Sequence, residues 1–125
     1  DDFLTVNYGC YSDSSCDYSD YIPIATKGMN ESEVDLVIAS CRSGQGINIC
    51  ANHQPNVISI LPFNEGALSK ARKHNCPNFI TFASEKWTPN DAFVAFKKAF
   101  ELYHFEGGRH STRIQKFIKG DFGIN

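Results

Sequence analysis

Residues 88–108 constrain the fold more than any other stretch of the chain. Phe93, Phe96, Phe100 and Tyr103 recur at spacings of three, four and three, which is one face of an α-helix. Ala92 and Ala99 widen that face, while Lys97, Lys98 and Glu101 fall on the opposite, solvated side. Thr88 is a good N-cap, and Pro89 fits the first helical position, where its missing N–H costs nothing. Asp91, three residues after the cap, completes a capping-box-like pattern. Trp87 sits just before the cap, placed to staple the entry by packing on Ala92. Gly107 and Gly108 stop the helix, since glycine readily takes the left-handed C-cap conformation.

The remaining elements are shorter. Residues 3–8 are β-prone and read as a strand ending at Gly9-Cys10. Residues 11–21, rich in Ser, Asp and Tyr, have no period and read as a solvated acidic loop. Asp13, Asp17 and Asp20 could meet a cation there, but the loop lacks the EF-hand spacing and its glycine. Residues 21–25 read as a short extended piece. Asn30 is a plausible N-cap for a helix over 31–41, where Val34, Val37, Ile38 and Cys41 share a face. Residues 47–51 alternate and pair with 57–61 as a hairpin through a turn at His53–Asn56. Residues 66–73 are weakly helical, 79–83 form a strand, and 112–118 alternate as a last strand. The order β-α-β-β-(α)-β-α-β predicts an α+β fold, a mainly antiparallel sheet covered by two or three helices. Residues 1–125 read as one globular domain. Asp121-Phe122-Gly123 matches the kinase DFG triplet only by chance, because no glycine-rich loop or catalytic loop accompanies it.

An apolar fraction of 42% with ten Phe residues supports a packed core, and no apolar run is long enough to span a membrane. The five cysteines Cys10, Cys16, Cys41, Cys50 and Cys76 contain no C-x-x-C pair, and the four histidines have no H-x-x-x-H spacing. That excludes the usual zinc boxes, and no metal or other cofactor is implied. Two disulfides and one leftover thiol fit the count, with the pairing open and the odd cysteine free to join another chain. The chain begins with Asp rather than Met, as a secreted protein would after losing its leader. Asn30-Glu31-Ser32 is a candidate glycosylation sequon. Charge is uneven. Residues 1–62 hold eight acids against two cations, a balance of −6, and residues 63–125 hold ten cations against six acids, +4. The halves can attract each other, or the basic half can face RNA or another anionic ligand.

The candidate site lies past the long helix. His104, Glu106, Arg109, His110 and Arg113 bring two imidazoles, a carboxylate and two guanidiniums within ten residues. Histidine exchanges a proton near neutral pH and arginine holds a phosphate in a fork, so this set suits acid–base chemistry on a phosphodiester. The alternative is a solvated helix end, where cations are favoured by the dipole. His53 reads as a surface turn residue.

Tyr8-Gly9-Cys10 resembles the Y-x-C signature of small secreted fungal effectors, many of which have a ribonuclease-like fold. Tyr103-His104-Phe105-Glu106-Gly107 resembles a region of guanyl-specific fungal ribonucleases. The resemblance implies a secreted protein that binds a host protein or RNA without cleaving it. Three readings therefore stand: a secreted, disulfide-containing effector or toxin-like factor that binds a protein target and is not an enzyme; a secreted ribonuclease using the His/Glu/Arg cluster; and a subunit linked to a larger complex through the odd cysteine.

Overall fold

A computed structural model describes residues 3–9 and 17–119. Three strands build a parallel sheet in the order β1 (Val37–Cys41), β3 (Phe79–Ala83), β2 (Ser59–Ile60). Helix α2 (Gln45–Asn52) leads from β1 to β2, and α3 (Glu65–Asn75) leads from β2 to β3. Helix α1 (Tyr18–Asn30) precedes the sheet, and α4 (Pro89–Leu102) and α5 (Arg109–Lys119) follow it. Val37 pairs with Phe79 and Cys41 with Ala83, while Ser59 also pairs with Phe79.

Helices cover both faces of this sheet. Ile22, Ala25, Ile47 and Ala51 from α1 and α2 pack with Val37 and Phe79 on one side. Leu68 from α3 and Ala95, Phe96 and Ala99 from α4 pack with Ile80 and Phe82 on the other. Successive side chains of β3 thus enter opposite layers, as the pleat requires. Every residue from Phe79 to Phe82 is buried, the mark of a central parallel strand.

Two caps fix the helices of the second layer, and the one at Thr88 was anticipated from sequence. Thr88 Oγ1 accepts the Asp91 amide at 3.1 Å, and Trp87 and Ala92 both pack on the same core, with the Trp87 Nε1 donating to the Pro62 carbonyl at 3.0 Å. Asn64 caps α3 by accepting from the Ala67 amide at 2.7 Å.

The mixed α/β character stands, but the antiparallel sheet does not. No hairpin joins 47–51 to 57–61, because residues 47–51 lie in α2 with Ile47 and Ala51 turned to the core. The helix expected over 31–41 is a turn followed by β1. Residues 3–8 form no strand, residues 21–25 lie inside α1, which carries Pro23, and residues 112–118 lie in α5. The long helix ends at Leu102, one turn before the glycine pair, with Tyr103 already extended. Cys10, Asp13, Cys16 and the triplet at 121–123 lie outside the described residues.

Candidate functional site

In an open parallel sheet the strands' carboxyl ends face the space where ligands bind. Here β1 ends at Cys41, three loop residues follow, and α2 starts at Gln45. The Cys41 carbonyl accepts the Ser84 amide at 2.8 Å and the Arg42 carbonyl accepts the Glu85 amide at 3.1 Å, so the loop is fastened to the end of β3. Gly44 takes the N-cap position at φ 77°, without a side chain to cap the helix. Ser43 Oγ accepts the Gln45 amide at 3.3 Å, and the Gly44 carbonyl accepts the Asn48 amide at 3.0 Å. The next amides, Gly46 and Ile47, have no carbonyl one turn before them within the helix, which leaves a donor pair at its positive end. Cys41 is a free, half-buried thiol beside that loop. Behind it, Ser59 donates to Asn48 Oδ1 at 2.6 Å, and its amide donates to Asn52 Oδ1 at 2.8 Å. This polar network ties α2 to β2 and holds the loop in place.

A second cluster forms at the other end of the sheet. Helix α3 ends where β3 begins, and the Glu106 amide donates to the Lys73 carbonyl at 2.9 Å. Glu106 Oε1 then lies 3.3 Å from His74 Nε2 and 3.8 Å from His110 Nε2. The two imidazoles stack with centroids 4.2 Å apart and planes at 16°. Burial holds the His110 imidazolium below the usual histidine range, reinforced by the charges of His74 and Arg109. Arg109 and Arg113 flank His110 on α5, one turn apart and exposed, and neither forms an ion pair among the described residues.

Of the five residues expected from sequence, the structure brings Glu106 and His110 together and sets Arg109 and Arg113 beside them. His104 is exposed and outside the cluster, and His53 is the exposed C-cap of α2. His74 and Cys41 were not anticipated as site residues. His74 sits thirty-two residues before Glu106, and only the docking of 103–108 on α3 unites them.

The sequence profile of the Ribose/Galactose Isomerase family matches residues 1–117. A probable ribose-5-phosphate isomerase B of Mycoplasma genitalium is 33% identical over 87% of this chain and 72% of its own length. A putative sugar phosphate isomerase of Bacillus subtilis is 34% identical over 89% of this chain and 74% of its own. Among solved structures, the ribose 5-phosphate isomerase of Thermotoga maritima superposes with a TM-score of 0.82 at 30% identity, covering 90% of this chain and 77% of that one. The Mycoplasma genitalium enzyme with bound ribulose-5-phosphate superposes with a TM-score of 0.77 at 31% identity, covering 91% and 75%.

These findings correct the functional expectations. The short Tyr8-Gly9-Cys10 and Tyr103–Gly107 matches to effectors and ribonucleases give way to a family match spanning most of the chain. An effector or toxin that acts only by binding, a ribonuclease and a disulfide-linked subunit are all overturned, since the relatives are sugar phosphate isomerases. With them go the protein target, the RNA partner and the secreted location. Cys41, Cys50 and Cys76 are free thiols, so two disulfides cannot form from the five cysteines. Asn30, the sequon residue, ends α1 and donates to the Pro55 carbonyl at 3.3 Å.

Proposed function

Because the chain belongs to the Ribose/Galactose Isomerase family, we propose that it interconverts the aldose and ketose forms of a phosphorylated sugar. Ribose 5-phosphate and ribulose 5-phosphate are the pair that its relatives' names and the bound ligand of one of them suggest. The reaction moves one proton between C1 and C2. A base removes the C2 proton of the open-chain aldose, an enediolate forms, and the proton returns at C1 while the hydroxyl proton passes from O2 to O1. The protein must supply the base and donors for the oxygen that gains charge.

The observation that carries this reading is the free Cys41 thiol beside the start of α2. Its sulfur is the proposed proton carrier, and the amides of Gly46 and Ile47 are the proposed donors to the enediolate oxygen. Arg109 and Arg113, two unpaired forks one turn apart, suit the phosphate.

These two groups stand at opposite ends of the sheet. Cys41 is level with Ala83, about 13 Å along β3 from Phe79, near which the arginine cluster begins. A five-carbon sugar phosphate reaches only roughly 8 Å from C1 to phosphorus, at about 1.5 Å per bond before zigzag shortening. One chain therefore does not bring both groups to one substrate, and the reading calls for a second copy whose arginines approach the Cys41 loop. The test is conversion of ribose 5-phosphate by the purified chain. Cys41→Ala is expected to lower kcat, and Arg109→Ala with Arg113→Ala to raise KM. Full activity in Cys41→Ala would remove the thiol from the reaction.

A further inference from the structure

The hydrogen bonds behind the Cys41 loop run from the middle of the sheet to the first turn of α2. Thr81 is fully buried on β3, and Ser59 is buried on β2. Ser59 Oγ lies 2.6 Å from Asn48 Oδ1. A side-chain amide oxygen can only accept, so the Ser59 hydroxyl proton goes to Asn48. The Thr81 hydroxyl, 3.5 Å from Ser59 Oγ, makes a longer and weaker link behind it. Asn52, one helical turn further on, fastens the same strand. Its Oδ1 accepts the Ser59 amide at 2.8 Å and its Nδ2 donates to the Ser59 carbonyl at 3.0 Å. Phe79 and Thr81 face the same layer, two residues apart, and Val37, Ile47 and Ala51 fill that layer with apolar groups. Polar groups are a costly filling for such a layer, since each must be matched. What they give, and apolar side chains do not, is a fixed orientation.

The part of α2 that is oriented is its donor end. Asn48 is the residue whose amide closes the first turn of the helix on the Gly44 carbonyl, at 3.0 Å. Gly46 and Ile47, whose amides are the proposed donors to the enediolate oxygen, lie between these two anchors. Gly44 is wedged against Leu61 and Thr81 with no room for a Cβ, and Asn48 is held by Ser59. Thr81 serves both ends, with its methyl toward Gly44 and its hydroxyl toward Ser59. Donors to a developing charge work by being in place before the reaction. A misplacement of about 1 Å can cost roughly a hundredfold in rate.

We propose that Asn48 and Ser59 are positioning residues for the isomerisation, an inference that rests on the isomerase reading. They act through the backbone of α2, aiming the Gly46 and Ile47 amides at the oxygen that gains charge. Loosening this link weakens binding of the enediolate more than binding of the sugar, because the donors meet their full charge only in the enediolate.

The test compares the wild-type chain with Ser59→Ala, Asn48→Ala and Ser59→Thr, the last of which keeps the hydroxyl. kcat and KM are measured with ribose 5-phosphate. Inhibition is measured with two probes: a phosphorylated hydroxamate, which mimics the enediolate, and ribitol 5-phosphate, which has the phosphate and hydroxyls but no carbonyl. Ser59→Ala and Asn48→Ala should each lower kcat and hydroxamate affinity by roughly ten- to a hundredfold. KM and the affinity for ribitol 5-phosphate should stay as in the wild type, and Ser59→Thr should restore most of kcat. Circular dichroism verifies that the variants fold, and Asn48→Ala, at the less buried position, serves if Ser59→Ala does not. Unchanged kcat in folded variants, or an equal loss of affinity for both probes, would overturn the proposal and leave the isomerase reading intact. No turnover by the folded wild type would overturn both.

Discussion

Gly44 and Leu61 meet where β1 hands over to α2. A Cβ built on Gly44 would run into Leu61 Cδ1 and lie 3.3 Å from Thr81 Cγ2, while the backbone there has φ 77°. Glycine alone satisfies both constraints. Gly44→Ala should cost about 2–4 kcal/mol, combining left-handed strain with overpacking. Chemical denaturation measures it; a loss under 1 kcal/mol would mean that the loop relaxes freely.

A site shared between two copies gives a mixing test. At substrate concentrations well below the raised KM, Cys41→Ala and the Arg109→Ala/Arg113→Ala variant should each be nearly inactive. Unfolding and refolding them together should restore about a quarter of wild-type activity, because half of the pairs are mixed and each mixed pair holds one intact site. If the mixture stays as inactive as its parts, the two groups do not meet across copies.

Some of this was legible in the sequence. Helix α4 was, because Thr88, Pro89 and the Phe spacing agree, and β3 was, because its apolar run is short and bounded. The parallel sheet was not. Strand β1 is Val-Ile-Ala-Ser-Cys, and Val34, Val37, Ile38 and Cys41 fall at helical spacing by coincidence. β1 does alternate, with Val37, Ala39 and Cys41 turned inward and Ile38 and Ser40 exposed, but an apolar Ile38 on the outer face hides that alternation in the sequence. The reverse error occurred at α2 and α5. Ile47 and Ala51 are one turn apart, as are Ile114 and Ile118, and short runs of that kind fit alternation as well. Once 47–51 was read as a strand, the turn between Cys41 and Gly46 no longer signalled a strand–turn–helix junction. Counting cysteines for disulfides then hid Cys41. Glu106 and His110 fell into one candidate cluster because only a few residues of sequence separate them; His74 needed the tertiary fold.

Tyr8 tests the packing of the N-terminal segment. Its hydroxyl is buried with the Glu33 carboxylate nearby but makes no well-formed hydrogen bond among the described residues, while its ring lies over Gly28, where an added Cβ would be 2.8 Å from Tyr8 Cζ. Tyr8→Phe should leave stability unchanged or slightly raised, since it removes an unsatisfied group. Gly28→Ala should cost about 1–3 kcal/mol, and less in a Tyr8→Ala background. Thermal denaturation of the four proteins checks this, and a large loss in Tyr8→Phe would reveal a partner for the hydroxyl.

Lys98 Nζ lies 2.8 Å from Glu65 Oε1 and links α4 to α3. The hydrogen bond to Glu65, then its charge, holds the Lys98 ammonium above the usual lysine range. A raised folded-state value means that the contribution is present below the unfolded lysine value and disappears as pH rises through the folded one. Both side chains are about half exposed, so the effect is small and screened by salt. Lys98→Met should lower Tm slightly at neutral pH, and the difference should vanish in high salt and in strong alkali. A difference that persists there would be due to packing.

The most direct measurement is the conversion of ribose 5-phosphate to ribulose 5-phosphate in deuterated water, with wild type and Cys41→Ala side by side. The account predicts turnover by the wild type with deuterium entering at C1, and a rate lower by roughly a hundredfold or more in Cys41→Ala. No turnover by the folded wild type, or equal turnover by both proteins, would contradict it.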